Sequence, residues 1–122
     1  MTEDRTHEIL AIDEAMLGEL VELMGPEAFE GAFASFVADL GESLRAVEAA
    51  TATTDEAAIR RHAHRIKGIL SQFGVPGGAA FAFSVETASG SALFERAARL
   101  ATLVPSAIEE VRRMASVISS RE

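Results

Sequence analysis

Apolar residues recur at helical spacing along almost the whole chain, and strand signals are weak throughout. The spacing predicts a first helix over residues 12–24 and a second over residues 26–50, because Gly25-Pro26 ends one helix and opens the next. The apolar stripe of the first helix consists of Ile12, Met16, Leu20, Leu23 and Met24. The longer apolar face of the second consists of Phe29, Phe33, Phe36, Val37, Leu40, Leu44 and Val47.

A third helix is predicted to start at a capping box formed by Thr53 and Glu56 and to run to about Phe73. Gly74 is expected to end it as a left-handed C′ residue. On this helix, the residues predicted to be buried are Ile59, Ile66, Leu70 and Phe73.

Two more helices follow, a short one over residues 79–88 and a last one over residues 91–119. The apolar register of the last helix passes unbroken through Pro105, so we expect a kink there rather than a domain boundary. Short connections favour antiparallel neighbours. The prediction is an all-α fold: an antiparallel up-down four-helix bundle with a short additional N-terminal helix, in which the last four helices form the core. Residues 12–119 would be this single domain, after a flexible N-terminal segment over residues 1–11.

Composition narrows the possible functions. The net charge of -8 makes nucleic acid and anionic membrane unexpected partners. The absence of cysteine excludes disulfides, thiolate metal sites and a cysteine nucleophile. No apolar run approaches the roughly 20 residues that span a bilayer, and the charged N-terminus lacks the order of a secretion signal, so a cytoplasmic location is expected.

The third predicted helix concentrates basic and titratable residues, including two of the three histidines. At about 100° per residue, His64 lies at the centre of the polar face and His62 lies beside the buried stripe. The residues that share the face of His64 are Arg60, Lys67, Gly68 and Ser71. We interpret His62 as a core-edge residue and His64 as the candidate for chemistry. The two lack the i, i+4 spacing by which helical histidines share a zinc ion, so no metal site is expected.

This polar face suits phosphoryl chemistry. A neutral imidazole is a nucleophile near pH 7 and accepts a phosphoryl group at Nε2. Lys67, one turn on, can offset the added negative charge, and Arg60 and Arg61 add positive potential. Gly68 has no side chain, so another protein can approach closely. A nucleophile on a convex helix face has no pocket of its own and must enter a partner's.

The segment Ala63–Gly68 (AHRIKG), with Gly74 ten residues after His64, resembles the signature of histidine-containing phosphotransfer (HPt) domains of two-component phosphorelays. The resemblance extends over about residues 12–119, and Val85-Glu86 falls where this family has an aliphatic residue followed by an acid or amide.

The resemblance implies a helical bundle whose exposed histidine receives a phosphoryl group from a receiver-domain aspartate and passes it to another. His64 would be the phospho-acceptor, Lys67 would stabilise the phosphoryl group, and Gly68 would give clearance. Glu86 would hold the imidazole Nδ1–H and leave Nε2 free to attack. No cofactor is implied for this chain, because the receiver domain would supply the Mg²⁺.

Two features depart from the family pattern. Ile69 and Leu70 stand where small residues are usual, but both point toward the core on the helical wheel, so altered packing is expected. Gly77-Gly78 stands where a leucine is common, which predicts a late start for the fourth helix.

Three functions compete. The leading one is a phosphocarrier between a sensor or hybrid kinase and a response regulator. It would have no ATP-dependent kinase activity of its own, since no glycine-rich phosphate loop is present. The second is a helical adaptor that docks on receiver domains without carrying phosphate. The third is an unrelated bundle in which the motif is accidental.

Overall fold

Helices occupy most of the residues described by the structure, a computed structural model that covers residues 10–121. In chain order they are α1 (Glu14–Met24), α2 (Pro26–Ala52), α3 (Glu56–Gln72), α4 (Pro76–Glu86) and α5 (Gly90–Ser120). No strand occurs within the described range. Helices α2 to α5 form the bundle, in which α3 packs against α2 and α4, and α5 closes it against α2 and α4. The predicted all-α bundle with an additional N-terminal helix is confirmed.

The core lies along the bundle axis, where the predicted apolar faces of α2, α3 and α5 meet. The four predicted residues Ile59, Ile66, Leu70 and Phe73 are all buried. Phe73 stacks against Phe36 of α2 with ring centroids 4.3 Å apart. Ile69 packs against the core and is partly buried, so both bulky departures from the family pattern are accommodated in the interior.

Helix α1 buries a different side from the apolar stripe predicted for it. Leu17 is fully buried, whereas Leu23 is 85% exposed and Met16 is also exposed. The start of α1 is bound to the turn after α3, because the N-cap residue Asp13 donates its backbone N–H to the carbonyl of Gly74 at 2.7 Å. Leu17 and Val21 thereby join the core. The prediction that only the last four helices form the core is therefore wrong.

The predicted capping box at the start of α3 is also wrong. Helix α2 extends to Ala52, so Thr53 is its C-cap, and the Thr53 hydroxyl donates back to carbonyls of α2. Asp55 caps α3 instead, since its Oδ1 accepts from the backbone N–H of Ala58 at 3.1 Å. Because α2 runs past its predicted end, Thr53 caps the end of α2 and the start of α3 moves to Asp55.

The turn after α3 is a Schellman motif. Gly74 has φ of 74°, as predicted, and Val75 N–H donates to the carbonyl of Leu70 at 3.0 Å. Helix α4 then begins at Pro76 and ends at Glu86, so the predicted late start at about residue 79 is wrong. Proline is suited to the first helical position, and Gly78 is buried within the first turn.

Helix α5 continues through Pro105, as predicted, and its apolar side is buried along its length. Its outer face carries the ion pairs Arg112–Glu109 and Arg113–Glu110, both at 2.9 Å. The hydrogen bond and the charge of Glu110 raise the pKa of Arg113 further above its usual range. Within residues 10–121, no helix has both the length and the apolar character needed to cross a membrane.

The predicted flexible segment over residues 1–11 lies mostly outside the described residues. Of its last two residues, Leu10 is buried against the core and residue 11 is exposed. The domain boundary at residue 12 stays a prediction.

Candidate functional site

His64 stands on the open face of α3. Its neighbours Ala63 and Ile66 are fully buried and fix the rotation of the helix. The His64 side chain is consequently 63% exposed, while His62 is partly buried. The predicted difference between the two histidines is thus present in the fold.

Glu86, the last residue of α4, is in contact with this imidazole. Val85 is fully buried and anchors the end of α4, and the adjacent Glu86 side chain turns toward α3. Glu86 Oε1 lies 2.8 Å from His64 Nδ1. An ionised carboxylate only accepts hydrogen bonds, so Nδ1 is the donor. In the neutral ring this arrangement leaves the lone pair on Nε2.

Lys67 lies on the same side of the imidazole as Glu86. Its Nζ is 3.5 Å from Glu86 Oε2 and 5.0 Å from the centroid of the Phe83 ring. Oε2 is buried and forms no hydrogen bond, so the lysine compensates the carboxylate through charge and not through a well-formed hydrogen bond. In the unphosphorylated protein, Glu86 is therefore held between His64 and Lys67.

The two arginines predicted for this face differ in environment. Arg61 is exposed, whereas the guanidinium of Arg60 donates hydrogen bonds to the carbonyl of Ala88 and to Glu56. A surface depression of about 530 Å³ is lined by Ala57, Arg60, Arg61, His64 and Glu86. Arg60 thus lies beside the site, but its hydrogen-bonding groups face the protein.

Gly68 and Ser71 continue the polar face along α3, and both are exposed. A Cβ atom at Gly68 would have no neighbour within 4 Å. Packing within this domain therefore does not require glycine at this position, although glycine lowers helix stability by about 1 kcal/mol relative to alanine.

Sequence reasoning missed Phe83, which lies one turn before Glu86 on α4. Its side chain is 49% exposed beside Lys67 and adds an apolar element next to the histidine. The spacing of Phe81 and Phe83 could have predicted that one of the two rings is exposed. Residues i and i+2 point in nearly opposite directions on a helix, so both rings cannot face the core.

The charges around His64 favour an anion. Three cationic side chains, Arg60, Arg61 and Lys67, lie near the imidazole, and two of them are paired with the carboxylates Glu56 and Glu86. Within the described range, no group of three or more histidine, cysteine, aspartate or glutamate residues is placed to hold a metal ion. The chemistry open to this site is nucleophilic attack by Nε2 on an electrophilic, negatively charged group.

An exposed histidine, oriented by a carboxylate on the outside of a helical bundle, defines a protein that presents its nucleophile to a partner and does not enclose a substrate. The family model of the Hpt domain matches residues 32–116, which include His64, Lys67 and Glu86. The match covers well over half of the chain, and the chain belongs to the Hpt domain family. No curated protein and no solved structure gave a significant match.

Membership of the family establishes the general role. Hpt domains are phosphocarriers of two-component systems, are not kinases, and interact with receiver domains. The hypothesis of an unrelated bundle with an accidental motif is therefore excluded.

Proposed function

We propose that this protein relays a phosphoryl group between receiver-domain aspartates, from a sensor or hybrid kinase to a response regulator, through His64. The observation that supports this most directly is the 2.8 Å contact between His64 Nδ1 and Glu86 Oε1 on an otherwise exposed imidazole. It orients the ring and, in the neutral imidazole, places the lone pair on Nε2, the atom that would attack.

In the proposed step, the Nε2 lone pair attacks the phosphorus of an aspartyl phosphate. A phosphorus–nitrogen bond forms, the phosphorus–oxygen bond to the aspartate breaks, and the aspartate leaves as a carboxylate. The proton on Nδ1 stays in place, so the ring becomes a phospho-imidazolium whose positive charge faces Glu86 Oε1. Because no proton has to move, the same geometry serves transfer to the next aspartate in reverse.

Lys67 would serve the phosphorylated form. A phosphoryl group adds nearly two negative charges at neutral pH. Lys67 already lies beside the imidazole, and its contact with Glu86 Oε2 at 3.5 Å is loose enough to exchange for phosphoryl oxygens. Its flexible stem allows the ammonium to follow the charge.

The partner completes the reaction centre. The exposed face around His64 does not form an enclosed pocket, so the receiver would supply the Mg²⁺ and the carboxylates that bind it. The cationic cluster of Arg60, Arg61 and Lys67 is complementary to such an acidic site, although the whole chain carries a net charge of -8. We expect Gly68 and Ser71 to lie in the docking surface, and we expect the relay to operate in the cytoplasm.

The direct test is phosphotransfer from a panel of ³²P-labelled receiver domains to the wild-type protein and to His64→Gln. We expect label on the wild type only, and we expect it to be labile in acid and stable in alkali. That stability identifies a phosphoramidate and excludes an acyl phosphate. If a receiver binds the folded protein without transferring label, the docking adaptor is the correct function. Equal labelling of His64→Gln would show that another residue is the acceptor.

A further inference from the structure

Arg60 makes the longest-range side-chain hydrogen bonds at the site. Its Nε and Nη2 both donate to the carbonyl oxygen of Ala88, at 3.2 and 3.0 Å. Nη2 also donates to Glu56 Oε1 at 3.1 Å, which holds the guanidinium from the opposite side. A residue that the sequence placed on the docking surface is thus bound within the protein.

The acceptor of these hydrogen bonds lies just beyond α4. Glu86 is the last residue of α4, Thr87 is its C-cap, and the buried residue Ala88 follows. The backbone N–H groups of Thr87 and Ala88 close the last turn of α4 on the carbonyls of Phe83 and Val85. Arg60 binds the carbonyl of Ala88 beyond that turn, and its charge lies near the negative end of the helix dipole.

Three contacts cross from α3 to the end of α4 in antiparallel order. Arg60 binds Ala88, His64 binds Glu86, and Lys67 lies against Glu86 and Phe83. Arg60 precedes His64 by one helical turn, so its contact with Ala88 and the contact of His64 with Glu86 are neighbouring links between the same two segments. The Arg60 link is the only one of the three that involves the backbone after α4.

We propose that Arg60 is a positioning residue that fixes the end of α4 and thereby holds Glu86 within hydrogen-bonding distance of His64 Nδ1. The effect of Arg60 on phosphotransfer rests on the proposed function of His64. The effect of Arg60 on the tautomer of the imidazole is independent of that function, because the position of Glu86 determines which ring nitrogen carries the proton. Glu56 orients the guanidinium and has no direct contact with the histidine.

The test is to read the tautomer of His64 from ¹⁵N chemical shifts of the imidazole in Arg60→Met, Arg60→Lys and Arg65→Met. Methionine keeps the apolar stem of Arg60 but removes every donor, and lysine restores the charge without the planar fork. We expect the Nδ1–H form to lose population in Arg60→Met, to recover partly in Arg60→Lys and to stay at the wild-type level in Arg65→Met. Arg65 is the matched control, because its replacement removes the same charge from an exposed position of α3 next to His64.

A second readout is the rate of phosphorylation by phosphoramidate, a small donor that needs no docking surface. We expect about a tenfold loss in Arg60→Met, typical of removing a residue that orients a reacting group, and no loss in Arg65→Met. The proposal is overturned if folded Arg60→Met keeps the wild-type tautomer and rate. It is also overturned if Arg65→Met shows the same losses, since charge would then be the cause.

If Arg60→Met does not fold, the proposal is tested with Arg60→Lys and Glu56→Gln, because both variants keep a cation at position 60. An unchanged tautomer in both would contradict the proposal, and a reduced Nδ1–H population in either would support it. The two proposals fail separately. A wild-type protein that accepts no phosphoryl group from receivers or phosphoramidate refutes the role of His64, while the tautomer measurement still tests Arg60.

Discussion

Asp13 and Gly74 are joined by a backbone hydrogen bond of 2.7 Å that ties the start of α1 to the turn between α3 and α4. Gly74 has φ of 74°, and a Cβ atom there would lie 3.1 Å from the carbonyl oxygen of Asp13. The second glycine of the family motif is therefore required by the fold, for both its conformation and its close neighbour. The first, Gly68, has open space around it and is not.

We predict that Gly74→Ala destabilises the protein by about 1–3 kcal/mol. A left-handed conformation costs a non-glycine residue about 1–2 kcal/mol, and the new methyl group would press on Asp13. The free energy of unfolding, measured by urea titration, checks this. Gly31→Ala is the control, because Gly31 lies inside α2 with open space around it. Its replacement should stabilise by up to about 1 kcal/mol, and equal effects at both positions would contradict the prediction.

Gly68→Gln should separate docking from chemistry. We expect the variant to fold with at least wild-type stability, since glutamine favours helix and a Cβ atom at this position meets no atom within 4 Å. Transfer from a receiver should fall by about tenfold or more, because a side chain beside His64 obstructs close approach. Phosphorylation by phosphoramidate should be unchanged.

The matched variant is Gly31→Gln, which places the same side chain on an exposed position of α2. We expect it to receive phosphoryl groups from the receiver at the wild-type rate. If both variants transfer normally, Gly68 has no role in docking.

Local sequence patterns were sufficient to predict the helical bundle and the exposed face of α3. The positions that divide this helix into a buried and an exposed side are set by its own period, so the exposure of His64 followed from the sequence. The position of Glu86 beside it required the resemblance to the family. Each residue's role in phosphotransfer remains a prediction.

The features that could not be predicted depend on contacts between distant segments. The start of α1 is bound to the turn after α3 through Asp13 and Gly74, which are far apart in sequence. The hydrogen bonds of Arg60 are made to a backbone carbonyl 28 residues away, to which the side-chain pattern gives no clue. The choice of Asp55 over Thr53 as a cap depended on where α2 ends, and α2 extends two residues past its predicted end at residue 50.

Ser43 is a buried polar residue of α2 whose hydroxyl has no hydrogen-bond partner. We predict that Ser43→Ala stabilises the protein by about 1 kcal/mol, because it removes an unsatisfied buried group and raises helix propensity. Thermal and urea unfolding measure the change. Ser84→Ala is the comparison, since the Ser84 hydroxyl donates to the Phe81 carbonyl at 2.6 Å. A destabilised Ser43→Ala would show that the hydroxyl is satisfied in solution.

Glu86→Ala should lower the rate at which His64 accepts a phosphoryl group by about 10–100-fold, the range found for residues that orient a reacting ligand. The variant removes the acceptor that holds Nδ1–H and the negative charge that faces the developing phospho-imidazolium. It also releases Lys67 from its ion pair. The loss should appear with receivers and with phosphoramidate alike, because it concerns the imidazole and not docking.

Two further variants test whether the loss of rate comes from the contact between Glu86 and His64. Glu86→Gln keeps an acceptor oxygen without the charge, so we expect it to retain the Nδ1–H tautomer and to recover part of the rate. Glu110→Ala removes a carboxylate whose ion pair lies on the outer face of α5, and it should transfer at the wild-type rate. A Glu86→Ala protein that keeps both the tautomer and the rate would show that the 2.8 Å contact is incidental to phosphotransfer. His64 would then have to be oriented by the partner after docking.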